Sequence, residues 1–483
     1  MNRPASGALA TALATALLAG GCSGTPSADP DEEPTSTAPT GAKDQDLSVA
    51  ESEPVEDSYY PRVGDPGVDS LHYGLDLTWD RDRKHLEGTA TVTFRATTDA
   101  TRFQLDLADP LDVSAVTVDG KDVRFRHPGK NLVVLAPVEQ DQQYVAEISY
   151  AGKPGPVPAP TTRSDFTTTG LTVTDTGEVW TMQEPFGAYT WYPVNDQPAD
   201  KALYDFTLRV DAPWVGVANG TPTSREEVDG QTVTQFHLAE PASSYLTTVA
   251  FGEYAHETDE TESGIPLHYW VPTSMPDAMD RARRTKDAVE WAEGKLGDYP
   301  FSSAGTLVVP SDSGMETQTL ITLGNNEYTL SDEVLVHEIV HQWMGDLVGP
   351  RDWRDVWLNE GITMYLQWVY REESGGPSID VTIAEARATD QLERDQAGPP
   401  AAYDPSMFGS GNIYHLPAIM WHDLRERVGD DAFWELVRGW PRAHEFGSAS
   451  REDLVAYVEE QTGEELSAFF DAWLLGKKTP PQS

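Results

Sequence analysis

Two histidines one helical turn apart, His337 and His341 in Val336-His-Glu-Ile-Val-His-Gln-Trp343, are followed after eighteen intervening residues by Glu360 in Trp357-Leu-Asn-Glu-Gly361. On an α-helix, positions i and i+4 lie only ~40° apart around the axis, so both imidazoles project from one face and can grip a single ion. Glu338 lies ~100° round from His337, beside such an ion rather than on it, and is free to act as a base. A catalytic zinc usually takes three protein ligands and keeps a fourth position for water. One more ligand is therefore owed, and Glu360 is the natural candidate.

The flanks read as helices. Thr329-Leu-Ser-Asp332 has the pattern of a capping box, and Val334, Leu335, Val336, Ile339 and Val340 supply an apolar lining for a buried helix. Residues 355–368 predict a second helix, rich in large apolar side chains, with Glu360 near its start. A carboxylate buried in such company is costly unless it is paired or holds a metal.

The run His337-Glu-Ile-Val-His-Gln-Trp-Met-Gly-Asp346 followed by Trp-Leu-Asn-Glu-Gly resembles the M1 family of zinc aminopeptidases, whose metal set is H-E-x-x-H-x18-E. The resemblance extends over several hundred residues. Ser313-Gly-Met-Glu-Thr317 is similar to the family's Gly-x-Met-Glu-Asn loop, which implies that Gly314 and Met315 line the substrate site and that Glu316 binds the substrate's α-amine. The stretch from Thr181 to Pro198 is similar to one that ends in Asp-x-Pro in the family, and it places Glu184 as a second amine-binding acid. Tyr414 opens a segment running to Gly429 that resembles the family's Tyr-x-x-Gly-Ala helix, whose phenol steadies the oxyanion. Ser313, Thr317, Asp346 and Leu416-Pro417 depart from the family pattern; none is a ligand or the base.

Two acids suit an α-amine physically. Its ordinary pKa is ~7.7–8, so it is largely cationic at neutral pH and needs anionic partners once water is displaced. What the resemblance implies is a single zinc per chain and hydrolysis of the first peptide bond of a peptide with a free N-terminus, by metal-activated water. A zinc endopeptidase, an inert zinc fold that only binds, and epoxide hydrolysis at the same metal remain open.

The formal net charge of −45 excludes a nucleic-acid partner, which needs clustered Lys and Arg. Residues 1–22 read as a lipoprotein-type export signal: Arg3, an Ala/Leu run from Ala8 to Ala19, then Cys22, the only cysteine and the candidate for lipidation. A plain cleaved secretory peptide is the alternative. The expected location is the outer face of a bacterial cell membrane, touched only through Cys22, or the medium. One cysteine also excludes an intramolecular disulfide and a thiolate-held metal.

Residues 23–57, rich in Ser, Thr, Pro and acids, predict a disordered tether. The rest predicts a multidomain α+β chain. Residues 58–258 show period-two alternation, as in 73–79, 89–94, 103–107, 113–123 around Asp119-Gly120, and 144–150, which is the mark of a largely antiparallel β domain. By resemblance it is the family's β saddle. Residues 259–483 show helical patterns, including 277–296 and 452–475, and by resemblance form a thermolysin-like zinc peptidase domain. Only about 120 residues follow Glu360, which implies a short form without the helical superhelix of longer members.

Overall fold

The alternating segments become strands, and a computed structural model describing residues 45–481 shows how they pair. Eight strands form one sheet in the spatial order Thr221–Val228, Gln231–Ser243, Lys201–Asp211, Val68–Asp80, His85–Ala96, Gln143–Gly152, Leu111–Val118 and Lys121–Asp122. All neighbours are antiparallel except Val68–Asp80 against Lys201–Asp211, which run parallel. In the Gln231 strand every second residue is buried, Thr232, Thr234, Phe236 and Leu238, so one face packs inward while the other meets solvent. A smaller sheet, ordered Val215–Ala218, Val249–Gly252, Val179–Met182, Thr168–Val173 and Val157–Pro158, packs nearby, with Trp79 stacked on Phe251 at 6.3 Å between ring centres.

A third sheet leads into the helices. Pro266–Pro272, Ala304–Val309 and Ile321–Gly324 run parallel, flanked by antiparallel edges Tyr254–Glu260 and Gly314–Met315. Helices follow: Asp332–Val340, Trp357–Glu373, Ile379–Ala397, His415–Val428 and Asp430–Ala443, then a final pair at the C-terminal end of the described chain. The arrangement is a β-rich part followed by a mainly helical part, as the patterning predicts.

Several boundaries differ from the sequence reading, each for a local reason. Residues 45–57, expected as part of the tether, pack on the fold: Ala50 is buried, and the Asp57 carboxylate accepts the N–H groups of Tyr59, Tyr60 and Trp353. The signal, Cys22 and the rest of the tether lie outside the described residues. The helix expected over 277–296 is two, Ala278–Ala282 and Thr285–Leu296, and that over 452–475 is also two, Arg451–Thr462 and Ser467–Leu474. Gly463 divides the latter pair by adopting φ +70°, with its N–H capping the Glu459 carbonyl. The capping box at Thr329 is not formed. Ser331 caps the helix instead, accepting from Val334 N, while the Thr329 hydroxyl donates to the Gly324 carbonyl at 2.7 Å.

Candidate metal centre

His337 and His341 sit on the Asp332–Val340 helix and at its C-cap, and Glu360 lies in the first turn of Trp357–Glu373. All three are buried. His337 Nε2 and His341 Nε2 are 3.2 Å apart, and each is 3.3 Å from Glu360 Oε2. These edges answer a simple test. Zinc–ligand bonds of ~2.0–2.1 Å arranged tetrahedrally demand ligand–ligand edges of ~3.3–3.4 Å. The donor triangle therefore has the size of one face of a tetrahedral zinc site.

The hydrogen bonds around the triangle orient its lone pairs. His337 Nδ1 donates to the Gln367 carboxamide oxygen at 2.9 Å, and His341 Nδ1 to the Met344 carbonyl at 3.0 Å. With the δ nitrogens protonated, both Nε2 lone pairs face Glu360 Oε2, which is buried and has no hydrogen-bond partner. Three acceptors converging in a buried space repel one another unless a cation stands between them.

Glu338 is buried beside the triangle, and the backbone of Gly314 approaches it so closely that a Cβ on Gly314 would lie 2.8 Å from Glu338 Oε1. Only glycine fits there without displacing the carboxylate. Glu316 follows the Gly314–Met315 edge strand and is held by Gln342, whose amide nitrogen donates to the Glu316 carbonyl at 3.0 Å and to Asp346 Oδ2 at 2.7 Å. Met315 is buried, with its sulfur 3.3 Å from Gln183 N.

Glu184 reaches the same place from the β-rich part. It follows strand Val179–Met182, and its neighbours are pinned: Gln183 donates to the Ser244 and Thr247 carbonyls, and Asp196 accepts from Gly187 N and Ser244 Oγ. Carboxylate oxygens of Glu184, Glu316 and Glu360 lie within 4.8 Å of one another. Both Glu184 Oε1 and Glu316 Oε1 are buried without a partner. Burial first, and then the charge of Glu316, push the Glu184 and Glu338 carboxyls well above their ordinary range. The cluster holds more negative charge than it can comfortably carry, and room for cations is built in.

Tyr414 caps the His415–Val428 helix, its ring 6.2 Å from that of His337. Burial, and after it the Glu360 charge, hold its hydroxyl well above the usual phenol value, so it stays protonated. Pro417 is accommodated in the first turn of that helix and presses on Gly361, where an added Cβ would meet Pro417 Cβ at 2.5 Å. The residues given metal, catalytic or substrate-binding roles from the sequence, Glu184, Gly314, Met315, Glu316, His337, Glu338, His341, Glu360 and Tyr414, line one cleft of about 490 Å³. Gln367 and Arg163 join them, and Gln342 supports Glu316 from behind the cleft wall. Gln367 was legible, since it lies two turns beyond Glu360 on the same helix face; Arg163 carries no sequence signal.

Residues 282–473 match the Peptidase family M1 domain and residues 69–246 the Peptidase M1 N-terminal domain. Among curated relatives, Aminopeptidase N of Streptomyces lividans is 26% identical over 453 residues, covering 84% of this chain and 50% of that protein. Tricorn protease-interacting factor F2 of Thermoplasma acidophilum is 24% identical over 443 residues, covering 85% and 53%. The chain thus spans about half the length of the curated relatives it matches. Among solved structures, a two-domain M1 zinc metallopeptidase bound to L-arginine superposes with a TM-score of 0.80 at 26% identity, covering 89% of this chain and 99% of that one. An M1 zinc metallopeptidase of Deinococcus radiodurans bound to a Tyr-Ser-Ala substrate gives 0.78 at 26% identity, with the same coverage.

Proposed function

This chain belongs to peptidase family M1, and from that membership we propose that it is a zinc-dependent aminopeptidase that removes the N-terminal residue from peptides. The observation that carries the reading is the convergence of Glu184, Glu316 and Glu360 within 4.8 Å. Two acids with buried, unpartnered oxygens stand next to the metal glutamate, so a substrate ammonium would find its anionic partners there, and a chain extending past it would run into them. That block makes an exopeptidase.

Bound at His337, His341 and Glu360, zinc supplies Lewis-acid polarisation of the scissile carbonyl and a more acidic water. Glu338 takes a proton from the attacking water and delivers it to the leaving amine. Tyr414 donates its hydrogen to the carbonyl oxygen as that atom gains charge. Glu316 and Glu184 fix the α-amine, and Gly314 leaves the space in which Glu338 works.

Export and attachment through a lipid on Cys22 complete the proposal. They are supported by the Arg3 and Ala/Leu pattern before that residue. Radiolabelled palmitate should enter the wild-type chain and not Cys22→Ser.

Paired peptides with free and N-acetylated termini test the main reading. The free peptide should be cleaved at its first bond and the acetylated one left intact; equal cleavage of both would mark an endopeptidase. Glu338→Gln should keep its metal and lose turnover by ~10²–10⁴-fold.

A further inference from the structure

Resting on the aminopeptidase reading, we propose that Arg163 is a positioning residue that acts through the Tyr414 hydroxyl, fixing the direction in which the phenol hydrogen is donated. Among the described residues it is the only arginine or lysine lining the cleft. It comes from the β-rich part, in the segment between strands Val157–Pro158 and Thr168–Val173.

That segment is tied across to residues 407–409. Phe408 N donates to the Pro160 carbonyl at 3.0 Å, and Thr161 Oγ1 to the Phe408 carbonyl at 2.5 Å. Arg163 is then locked by Asp165, which accepts from Nε at 3.2 Å and from Nη2 at 2.6 Å. The remaining nitrogen, Nη1, faces the Gly409 carbonyl and the Tyr414 hydroxyl, each at 3.5 Å.

A guanidinium has donors and no acceptor. At the Arg163 contact the phenol oxygen must therefore accept, which leaves its single hydrogen to be donated away from Arg163, in a cleft where the Tyr414 ring stands 6.2 Å from that of His337. Accepting from a cation also polarises the O–H bond and makes it a better donor. A phenol without this neighbour could rotate and spend its hydrogen on a backbone carbonyl. Arg163 removes that option before substrate arrives. Because Asp165 already balances its charge and fills one edge of its fork, a role as the reader of a substrate carboxylate fits the geometry less well.

The test is a double-mutant cycle on a free-amine aminoacyl amide, with zinc content and calorimetric binding of the free amino acid product measured for every variant. Arg163→Met should lower kcat about tenfold and leave KM and product affinity within about twofold. Tyr414→Phe should lower kcat by ~10²-fold or more. The double variant should fall no further than Tyr414→Phe alone, within about twofold, since the two act through one group. Arg163→Lys, which keeps a cationic donor, should lie between wild type and Arg163→Met, and it reports on the idea even if the methionine variant folds poorly. Effects that multiply in the double variant, or a raised KM with unchanged kcat in Arg163→Met, would overturn the proposal. A wild type that ignores N-acetylation overturns the aminopeptidase reading itself; a discriminating wild type with unaltered kcat in Arg163→Met overturns this proposal alone.

Discussion

The carboxamide oxygen of Gln367 accepts a 2.9 Å hydrogen bond from Nδ1 of His337, two turns along the helix that carries Glu360. One helix thus supplies both a ligand and the group that turns a second ligand toward the ion. Partners of this kind fix the imidazole tautomer and raise its basicity.

Replacing that amide should loosen the metal while leaving the fold intact. Gln367→Leu is expected to weaken zinc binding by ~10–100-fold. Competition with a chelator of known affinity measures it, and an unchanged constant would mean the hydrogen bond is incidental.

Glu316 should matter to free-amine substrates above all. Loss of a charge-assisted contact is worth ~1.5–3 kcal/mol, so Glu316→Gln is expected to cut kcat/KM by ~10–100-fold for such peptides at unchanged zinc content. Steady-state kinetics with zinc assayed in parallel decides between an anchor and a bystander.

Gly361 lets two helices meet. Its missing Cβ is the space that Pro417 fills, so Gly361→Ala forces the His415–Val428 helix away from Glu360. Overpacking of this kind typically costs ~1–3 kcal/mol. A lower urea midpoint together with lower kcat is expected, because Tyr414 rides on the displaced helix; wild-type stability in the variant would contradict the contact.

Much of this was legible beforehand. His337, Glu338, His341 and Glu360 could be read because helix geometry converts their spacing directly into a shared face, and strands such as Gln143–Gly152 announced themselves by alternation. The breaks at Arg283-Arg284 and Gly463 were hidden within continuous helical patterns, and a left-handed glycine is visible only once the backbone is known. Residues 45–57 look solvated by composition, yet Asp57 caps Trp353 across 296 positions of sequence. Arg163 is the clearest omission. Its partner Tyr414 lies 251 residues away, and no local pattern encodes a contact made by two loops tied together.

Stability should fall between about pH 4 and 6. Burial raises the carboxyls of Asp196 and Asp355 to about 6, against hydrogen bonds that pull the other way, while an unfolded aspartate sits near ~3.9. The folded chain therefore keeps protons that the unfolded chain gives up. This contribution is complete below about pH 4 and is lost as pH rises through about 6. Urea midpoints across the window should decline, and less steeply in Asp355→Asn; an identical slope in that variant would remove Asp355 from the account.

The most direct measurement is zinc stoichiometry coupled to reactivation. Purified protein should carry one zinc per chain, lose hydrolysis of an aminoacyl amide reporter on treatment with a chelator, and regain it on addition of one equivalent of zinc, whereas His341→Ala should neither hold zinc nor respond to it. Protein that holds no metal and is equally active with and without chelator would contradict the donor triangle of His337, His341 and Glu360, and with it the entire functional reading.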